Sequence, residues 1–474
     1  MLALSACFTV GPDFKKPEHK TDSAFVNKGI ELNTAKLSEK DLVQWWKLFG
    51  DDCLTELIEQ AVKTNFDIET ARYRVAQARA ILGIEYGGLL PTLNADGSMR
   101  EQAHPIDSHS NDKYSMGATA AWEIDIFGGI RRGIESAKAD YYATATEAIA
   151  TKVKVSAEVA QAYFTYRAYQ IEYRITRENL TAQRKTFDIT KQRKQNGFVS
   201  QLDVLQAAAE VSATNAQLPE IEKNMRLALN ALEILVGLQT GSLKEKLAVE
   251  KPLPKFESFV PAGVPAELLR RRPDVLAAEY RIHAATANIG VAKAELYPKF
   301  TVIGTISYEA PKIGRLVENK YGSWGVGPSI SWNLFQGGQI LNNIKLQEAV
   351  AKEAKVSWKS TVFNAIKEVE DALISSTKER ERIELINTLV NDNQKAFDLS
   401  KKLYSAGEIE FLDLLVSQRA LLASQQNQVA TRVKFVNYIV ALYKSLGGGW
   451  TPPTEEKYII IQTNDIIKNT QNES

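Results

Sequence analysis

Residues 65–91 read NFDIETARYRVAQARAILGIEYGGLLP, and residues 271–298 read RRPDVLAAEYRIHAATANIGVAKAELYP. With Phe66 laid on Pro273, Asp67 matches Asp274, Tyr73 matches Tyr280, Arg74 matches Arg281, Gly83 matches Gly290 and Pro91 matches Pro298. The register returns later: Gly197, Leu202 and Asp203 fall on Gly407, Leu412 and Asp413, and Gly237 falls on Gly447. Alanine-rich helices give scattered chance matches, but those do not keep Gly, Pro and Asp in order over such a span. A supersecondary unit is duplicated, each copy being a helix, two short strands and a long helix.

The segments after Pro91 and Pro298 set the function class. From Leu93, residues Leu93, Ala95, Gly97 and Met99 share one face, and Asn94, Asp96, Ser98 and Arg100 the other. From Tyr114 to Ile126, Met116, Ala118, Ala120, Trp122, Ile124 and Ile126 oppose Ser115, Gly117, Thr119, Ala121, Glu123 and Asp125. In the second copy Phe300, Val302, Ile306 and Tyr308 oppose Thr301, Thr305, Ser307 and Glu309, with Ile303 the exception. Trp324, Val326, Pro328, Ile330, Trp332 and Leu334 then oppose Gly325, Gly327, Ser329, Ser331 and Asn333. Each segment is a strand with one apolar face and one polar, small-residue face. Strands are expected at about 92–101, 114–126, 299–309 and 324–335, with an external loop over 101–113.

A soluble sheet lying on a core shows the same alternation. Three features favour a membrane barrel. Strands of about ten residues cross a hydrocarbon layer when tilted. Tyr114, Trp122, Tyr308, Trp324 and Trp332 lie near strand ends, where interfacial girdles sit. The polar faces carry Asp96, Arg100, Glu123 and Asp125, which suit a wet lumen. Four strands cannot close, because the smallest common membrane barrels need about eight and open edges leave backbone groups unpaired in lipid. Two chains would give about eight strands, an interior nearly filled by side chains. Three chains with four strands each close a twelve-stranded barrel with room for a passage. The fold class is therefore an α+β membrane protein, completed as a trimer.

The 474 residues carry 58 Lys and Arg against 57 Asp and Glu, a net charge of +1. That balance gives no sign of nucleic-acid binding or of a strong surface field. No stretch of eighteen or more apolar residues occurs, so no transmembrane helix is expected. The two cysteines are Cys7 and Cys53. Leu4-Ser5-Ala6-Cys7 resembles a bacterial lipobox, which makes Cys7 the expected lipidated residue, with its signal segment starting upstream of Met1. Phe8, rather than Asp, comes after the cysteine, which in that class of lipoprotein permits delivery to the outer membrane. Cys53 is expected as a packed thiol.

The helices are long. Neither Gly nor Pro occurs from Ile134 to Asn196, from Gln339 to Ala406 or from Glu408 to Leu446, and Pro219 is the one breaker between Phe198 and Val236. A sixty-residue helix spans roughly 90 Å and needs partners to pack on. Each long helix turns at a glycine, Gly197 or Gly407, and runs back as an antiparallel hairpin, with those glycines as left-handed caps. Ser200 with Asp203 has the form of a helix start. The stripe Val155, Val159, Ala162, Tyr166, Tyr169 and Tyr173 is read as helix packing. The expected organisation is an N-terminal and belt segment 1–45, a first repeat 46–236, a belt linker 237–262, a second repeat 263–449 and a tail 450–474.

These residues carry a family resemblance over nearly the whole chain. Val10-Gly11-Pro12-Asp13-Phe14 with Pro17, WEIDIFGG at 122–129, LLRRRPDVLAAE at 268–279, YPKF at 297–300, WNLFQGG at 332–338, LDLLVSQRALLASQ at 412–425 and LGGGW at 446–450 stand together. The chain resembles the outer-membrane efflux proteins of tripartite resistance–nodulation–division pumps, lipid-anchored relatives of the tunnel protein TolC. The resemblance implies a homotrimer in outer-membrane lipid, with a long periplasmic helical tunnel whose tip opens when a periplasmic adaptor and an inner-membrane transporter engage. It places the adaptor-contact tip at Asn196, Gly197, Phe198, Ser200, Ala406, Gly407, Glu408 and Ile409. It also implies an apolar and an acidic ring at the tip and an arginine tie between helices, matched by Leu412 and Arg419. The family's acidic position is Val416 here, which leaves Asp413 and Asp203 as candidates or the acidic ring missing.

No catalytic arrangement is legible. His19, His104, His109 and His283 are scattered without metal-ligand spacing, and GGG at 447–449 lacks the lysine of a phosphate loop. No cofactor and no nucleic-acid partner are expected. A type I protein-secretion outlet would share this architecture, and the inner-membrane partner distinguishes the two. A soluble helical scaffold would instead extract without detergent and conduct nothing.

Overall fold

A computed structural model describes residues 9–18, 25–26, 39–103, 110–254 and 271–451. Cys7, His19, His104 and His109 lie outside the described residues, as do most of the 450–474 tail and part of the 237–262 linker. After a helical turn at Glu39–Val43 and a 3-10 turn at Trp45–Phe49 come α1 (Asp52–Thr64) and α2 (Phe66–Gly87). Strands β1 (Thr92–Ala103) and β2 (Ser110–Ile124) come next, then the hairpin of α3 (Gly129–Gln195) and α4 (Gln201–Leu235). The second copy is α5 (Pro273–Ala294), β3 (Lys299–Ala310), β4 (Gly322–Ser331) and the hairpin of α6 (Gln339–Ala406) and α7 (Phe411–Ser445). No described helix is long and apolar enough to cross a membrane.

The sheet is antiparallel throughout, in the order β1-β2-β3-β4. Its register aligns the alternation seen in each strand. Met116 pairs with Tyr308, Trp122 with Val302, and Ile306 with Trp324, so the apolar faces form one continuous surface. Its members are widely exposed, Trp324 at 81 %, as lipid-facing side chains are in a single protomer. The opposite face pairs Asn94 with Thr119, Thr119 with Thr305, and Thr305 with Gly325. There the Ser98 and Ser115 hydroxyls meet at 2.8 Å, as do those of Ser307 and Ser323, and Lys113 pairs with Glu309 at 2.5 Å. Ile303 stays the exception on that face, opposite Ala121 and Gly327.

Three strand limits differ from the alternation. The ladder of β3 and β4 ends at Lys299 and Ser331, so Trp332 to Phe335 find no strand partner although their pattern continues. The Trp332 indole N–H instead donates to the Leu296 carbonyl at 3.0 Å, as Trp122 does to Leu89 in the first copy. β2 ends at Ile124, and Asp125 is not a lumen residue: its carboxylate accepts the Ile130 and Arg131 N–H groups at the start of α3. β1 and β2 also pair beyond the expected loop boundaries, through Arg100 with Lys113 and Glu101 with Asp112, because a backbone ladder outside lipid needs no apolar face.

The helices run as the missing breakers imply. α3 has 67 residues and α6 has 68, each roughly 100 Å at 1.5 Å per residue. Pro219 does not break α4, since the carbonyl it frees, that of Asn215, sits in an exposed stretch where water can take its place. Both hairpin turns and both hairpin ends close the same way. Phe198 N–H reaches Arg193 C=O, Leu238 reaches Glu233, Glu408 reaches Leu403 and Gly448 reaches Tyr443. Each is the six-to-one bond of a Schellman cap, and Gly197, Gly237, Gly407 and Gly447 hold the left-handed position. The duplication is thus written into the caps.

The largest core lies at mid-length of the helices. Trp45, Leu54, Leu57 and Ile58 pack with Val155, Val159, Tyr163 and Phe164 of α3, Leu232 of α4, Leu373 of α6 and Val440 of α7. Val155, Val159 and Tyr166 of the expected stripe are buried, whereas Tyr169 and Tyr173 are half-buried. Arg167, stacked over the Tyr163 ring, donates to the carbonyls of Leu247 and Val249, and the Glu233 carboxylate accepts the Gly241 and Leu243 N–H groups. Residues 241–249 are so fastened across the hairpin. Cys53 is a half-buried free thiol whose pKa burial raises.

Candidate functional site

The order of packed helices repeats the order of strands. Near the sheet the sequence of neighbours is α2, α3, α5, α6, and towards the turns it is α4, α3, α7, α6. One flank of the protomer therefore carries β1, α2 and α4, and the other carries β4 and α6. Both edge strands have a free side in the protomer, and in lipid each unpaired backbone group costs several kcal/mol. Exposed apolar side chains line the two flanks: Tyr73, Ile81 and Ile84 on α2, and Leu346, Val350 and Val356 on α6. Two different surfaces that must both be covered describe a head-to-tail contact, which ends only by closing a ring.

The far end of the hairpins has its own apolar core. Ala207, Phe397, Tyr404, Phe411, Leu414, Leu415 and Leu421 are buried there, with Phe187, Ile189 and Ile409 packed against them. Of the expected tip residues, Asn196, Gly197, Ala406, Gly407 and Glu408 are exposed, and Phe198 is exposed to 71 %. Ile409 turns inward and packs against this core. Ser200 is the N-cap of α4, and Asp203 completes a capping box: its carboxylate accepts from the Ser200 N–H and hydroxyl at 2.8 Å. Asp203 is thereby fastened as a helix cap. Asp413 and Leu412 stand exposed in the first turn of α7, with Val416 a turn further on.

Arg419 of α7 forms an ion pair with Glu210 of α4. Its Nε lies 2.7 Å and its Nη2 2.6 Å from the same Glu210 carboxylate oxygen on α4, and Glu210 is itself buried. The Gln183 amide of α3 reaches the other oxygen at 3.5 Å. Higher up, Asn179 of α3 bonds Gln425 of α7 at 2.9 Å, and Gln426 of α7 bonds Gln217 of α4 at 3.1 Å. The two hairpins are therefore joined by one ion pair and a ladder of amides. Sequence reading missed Glu210, although a signal existed. In the repeat register Arg419 falls on Ala209 and Glu210 on Ala420, so the two copies diverge in charge at neighbouring positions.

At the other end, residues 9–16 run as a strap from the sheet along α5. Val10 N–H donates to the Phe127 carbonyl, and Arg132 donates to the Val10 carbonyl at 3.1 Å and to Asp13 at 2.7 Å. Phe14 stacks on His283, which meets Glu135 at 2.9 Å, and Lys16 pairs with Glu279. A methyl group at Gly11 would stand 2.4 Å from the Gly290 Cα, so the strap lies on bare backbone. The described residues hold no group of His, Cys, Asp and Glu suited to a metal ion.

The comparisons agree with this architecture. The model of the family described as outer membrane efflux protein matches residues 57–238 and 264–448. Nodulation protein T of Rhizobium leguminosarum bv. trifolii is 30 % identical over 460 residues, 95 % of this chain and 96 % of that protein. The toluene efflux pump outer membrane protein TtgC of Pseudomonas putida is 29 % identical over 461 residues, 95 % of this chain and 94 % of that protein. The solved outer-membrane channel OprN superposes with a TM-score of 0.85 at 31 % identity, covering 93 % of this chain and 99 % of that one. The chain belongs to the outer membrane efflux protein family, and its trimer is the exit duct of a tripartite efflux pump.

Proposed function

We propose that this duct conducts small molecules passively and is gated at the hairpin tip by the tie between Arg419 and Glu210. The ion pair that joins α7 to α4 a few turns from Gly197 and Gly407 carries this reading. Leu412, and beside it Asp413, narrow the passage where three protomers converge. The turns at Asn196, Gly197, Phe198, Ser200, Ala406, Gly407, Glu408 and Ile409 seat a periplasmic adaptor, which engages an inner-membrane transporter of the resistance–nodulation–division type. That transporter supplies the energy, and the adaptor shifts the tip by binding its open form better than its closed form. Cys7 carries lipid that anchors the chain in the outer membrane of a Gram-negative bacterium. The strap from Val10 supports this anchor, because it brings the chain back to the sheet three residues after Cys7.

Single-channel recording of the purified trimer in planar bilayers tests the gate. Wild type is expected to open rarely, and Arg419→Ala and Glu210→Gln each more often and more widely. Equal, steady conductance in all three would leave a channel but remove the gate from this ion pair.

A further inference from the structure

Arg193 occupies a singular place at the tip. It sits in the last turn of α3, half-buried, and its own carbonyl accepts the Phe198 N–H that closes the first hairpin turn. Its guanidinium crosses to the second hairpin and donates to the Tyr404 carbonyl, the same carbonyl that accepts the Gly407 N–H of the second turn. The guanidinium also lies over the Tyr404 ring, 4.7 Å from its centre. One helical turn back, the Thr190 and Tyr404 hydroxyls meet at 3.0 Å in a buried contact. A cation at the C-terminal carbonyls of α6 is favoured by the helix dipole, and the stacked ring adds a cation–π attraction. One residue thus belongs to the caps of both turns.

We propose that Arg193 is a positioning residue of the gate, a second latch at the outermost end of the hairpins. This rests on the reading of the tip as gate and adaptor seat given above. The Arg419 and Glu210 pair joins α7 to α4, and Arg193 joins α3 to α6, so the two latches fasten both helices of one hairpin to both of the other. The second hairpin cannot slide along the first until both release. Arg193 is the latch that a docked partner reaches, because any reshaping of the Gly197 or Gly407 turn moves an atom that Arg193 holds. The chemistry such a partner needs is modest: an acceptor, carboxylate or carbonyl, that competes with the Tyr404 carbonyl for the guanidinium.

The test uses the full-length trimer in planar bilayers, with Arg193→Ala, Arg193→Lys and Arg419→Ala beside wild type. Loss of a charge-assisted hydrogen bond predicts about a tenfold rise in open time for Arg193→Ala. Lysine keeps the charge at the α6 terminus and should restore most of the closed time, a rescue that a packing role alone would not give. Should the alanine variant not assemble, Arg193→Gln, which keeps most of the stem and loses the charge, replaces it with the same expectation. If Arg193→Ala stays shut while Arg419→Ala opens, Arg193 is no latch and the gate reading stands. If Arg193→Ala and Arg193→Lys open equally, the charge is not what holds the turns, and the proposal fails. If Arg419→Ala also matches wild type, the gate reading falls with it.

Discussion

At the scale of single residues, buried polar groups do the fastening. Asp51 accepts the Cys53 N–H at the start of α1, the Tyr163 hydroxyl of α3 and the Lys251 ammonium at 3.0 Å. Burial pushes its carboxyl up, but the hydroxyl, the ammonium and the N–H outweigh it and hold the pKa below the ordinary range. A depressed carboxyl contributes stability that is complete above the unfolded value of about 3.9 and is lost as pH falls through the folded one. Asp51→Asn should therefore melt earlier at neutral pH and lose less on acidification from about pH 5 to 3 than wild type does. Thermal unfolding followed by circular dichroism across that range decides it, and parallel curves would assign the acid sensitivity to other carboxylates. Arg272 plays a matching part. Burial disfavours its charge, yet Asp274 at 2.6 Å and Glu368 at 2.7 Å raise its pKa while it joins the start of α5 to α6 and to the Ser445 carbonyl. Such pairs were barely legible in the sequence, where the charge divergence between the two copies points towards Glu210 but names no partner for it. Arg272 and Glu368 are 96 residues apart and Glu210 and Arg419 are 209 apart, and no local period joins residues that only the packing of two hairpins brings together.

Elements were far easier to read. Period two after Pro91 and Pro298, unbroken helical runs between glycines and the match of Gly197 with Gly407 are all local or repeated signals, and they survive in the structure. What failed was their ends. Alternation in 332–335 outruns the ladder because a strand stops where its partner stops, whatever its own pattern. The two turns also differ in a way that separates them experimentally. Gly197 and Gly407 both hold φ near +80°, but a methyl at Gly197 meets nothing, whereas one at Gly407 meets Arg193 Nη2 at 3.3 Å. Gly197→Ala should cost about 1 kcal/mol from the left-handed backbone alone. Gly407→Ala should cost more and should also speed amide exchange of Gly407 and Glu408. Equal losses in the two variants would mean that Arg193 yields without cost.

At the scale of the whole molecule, the protomer has two flanks that are unlike and unfinished. Ile84 on α2 is 72 % exposed and sits outside every buried core, so Ile84→Asp should leave the protomer folded. It should still weaken the trimer, because a charge then enters an apolar seam against α6 of the next subunit. Trimer retention on mild detergent gels, beside an unchanged helical spectrum, reads the two effects apart. A trimer as robust as wild type would move the seam away from α2. The repeated glycine caps have a consequence for anything that approaches this end of the duct. Three subunits with two nearly equal turns each present six left-handed glycine knuckles in a ring. Geometry alone makes that ring a hexagon, while chemistry makes it a triangle, with exposed Phe198 beside one knuckle and Glu408 beside the next. A visitor that grips only backbone finds six equal seats, and one that reads side chains finds two sets of three.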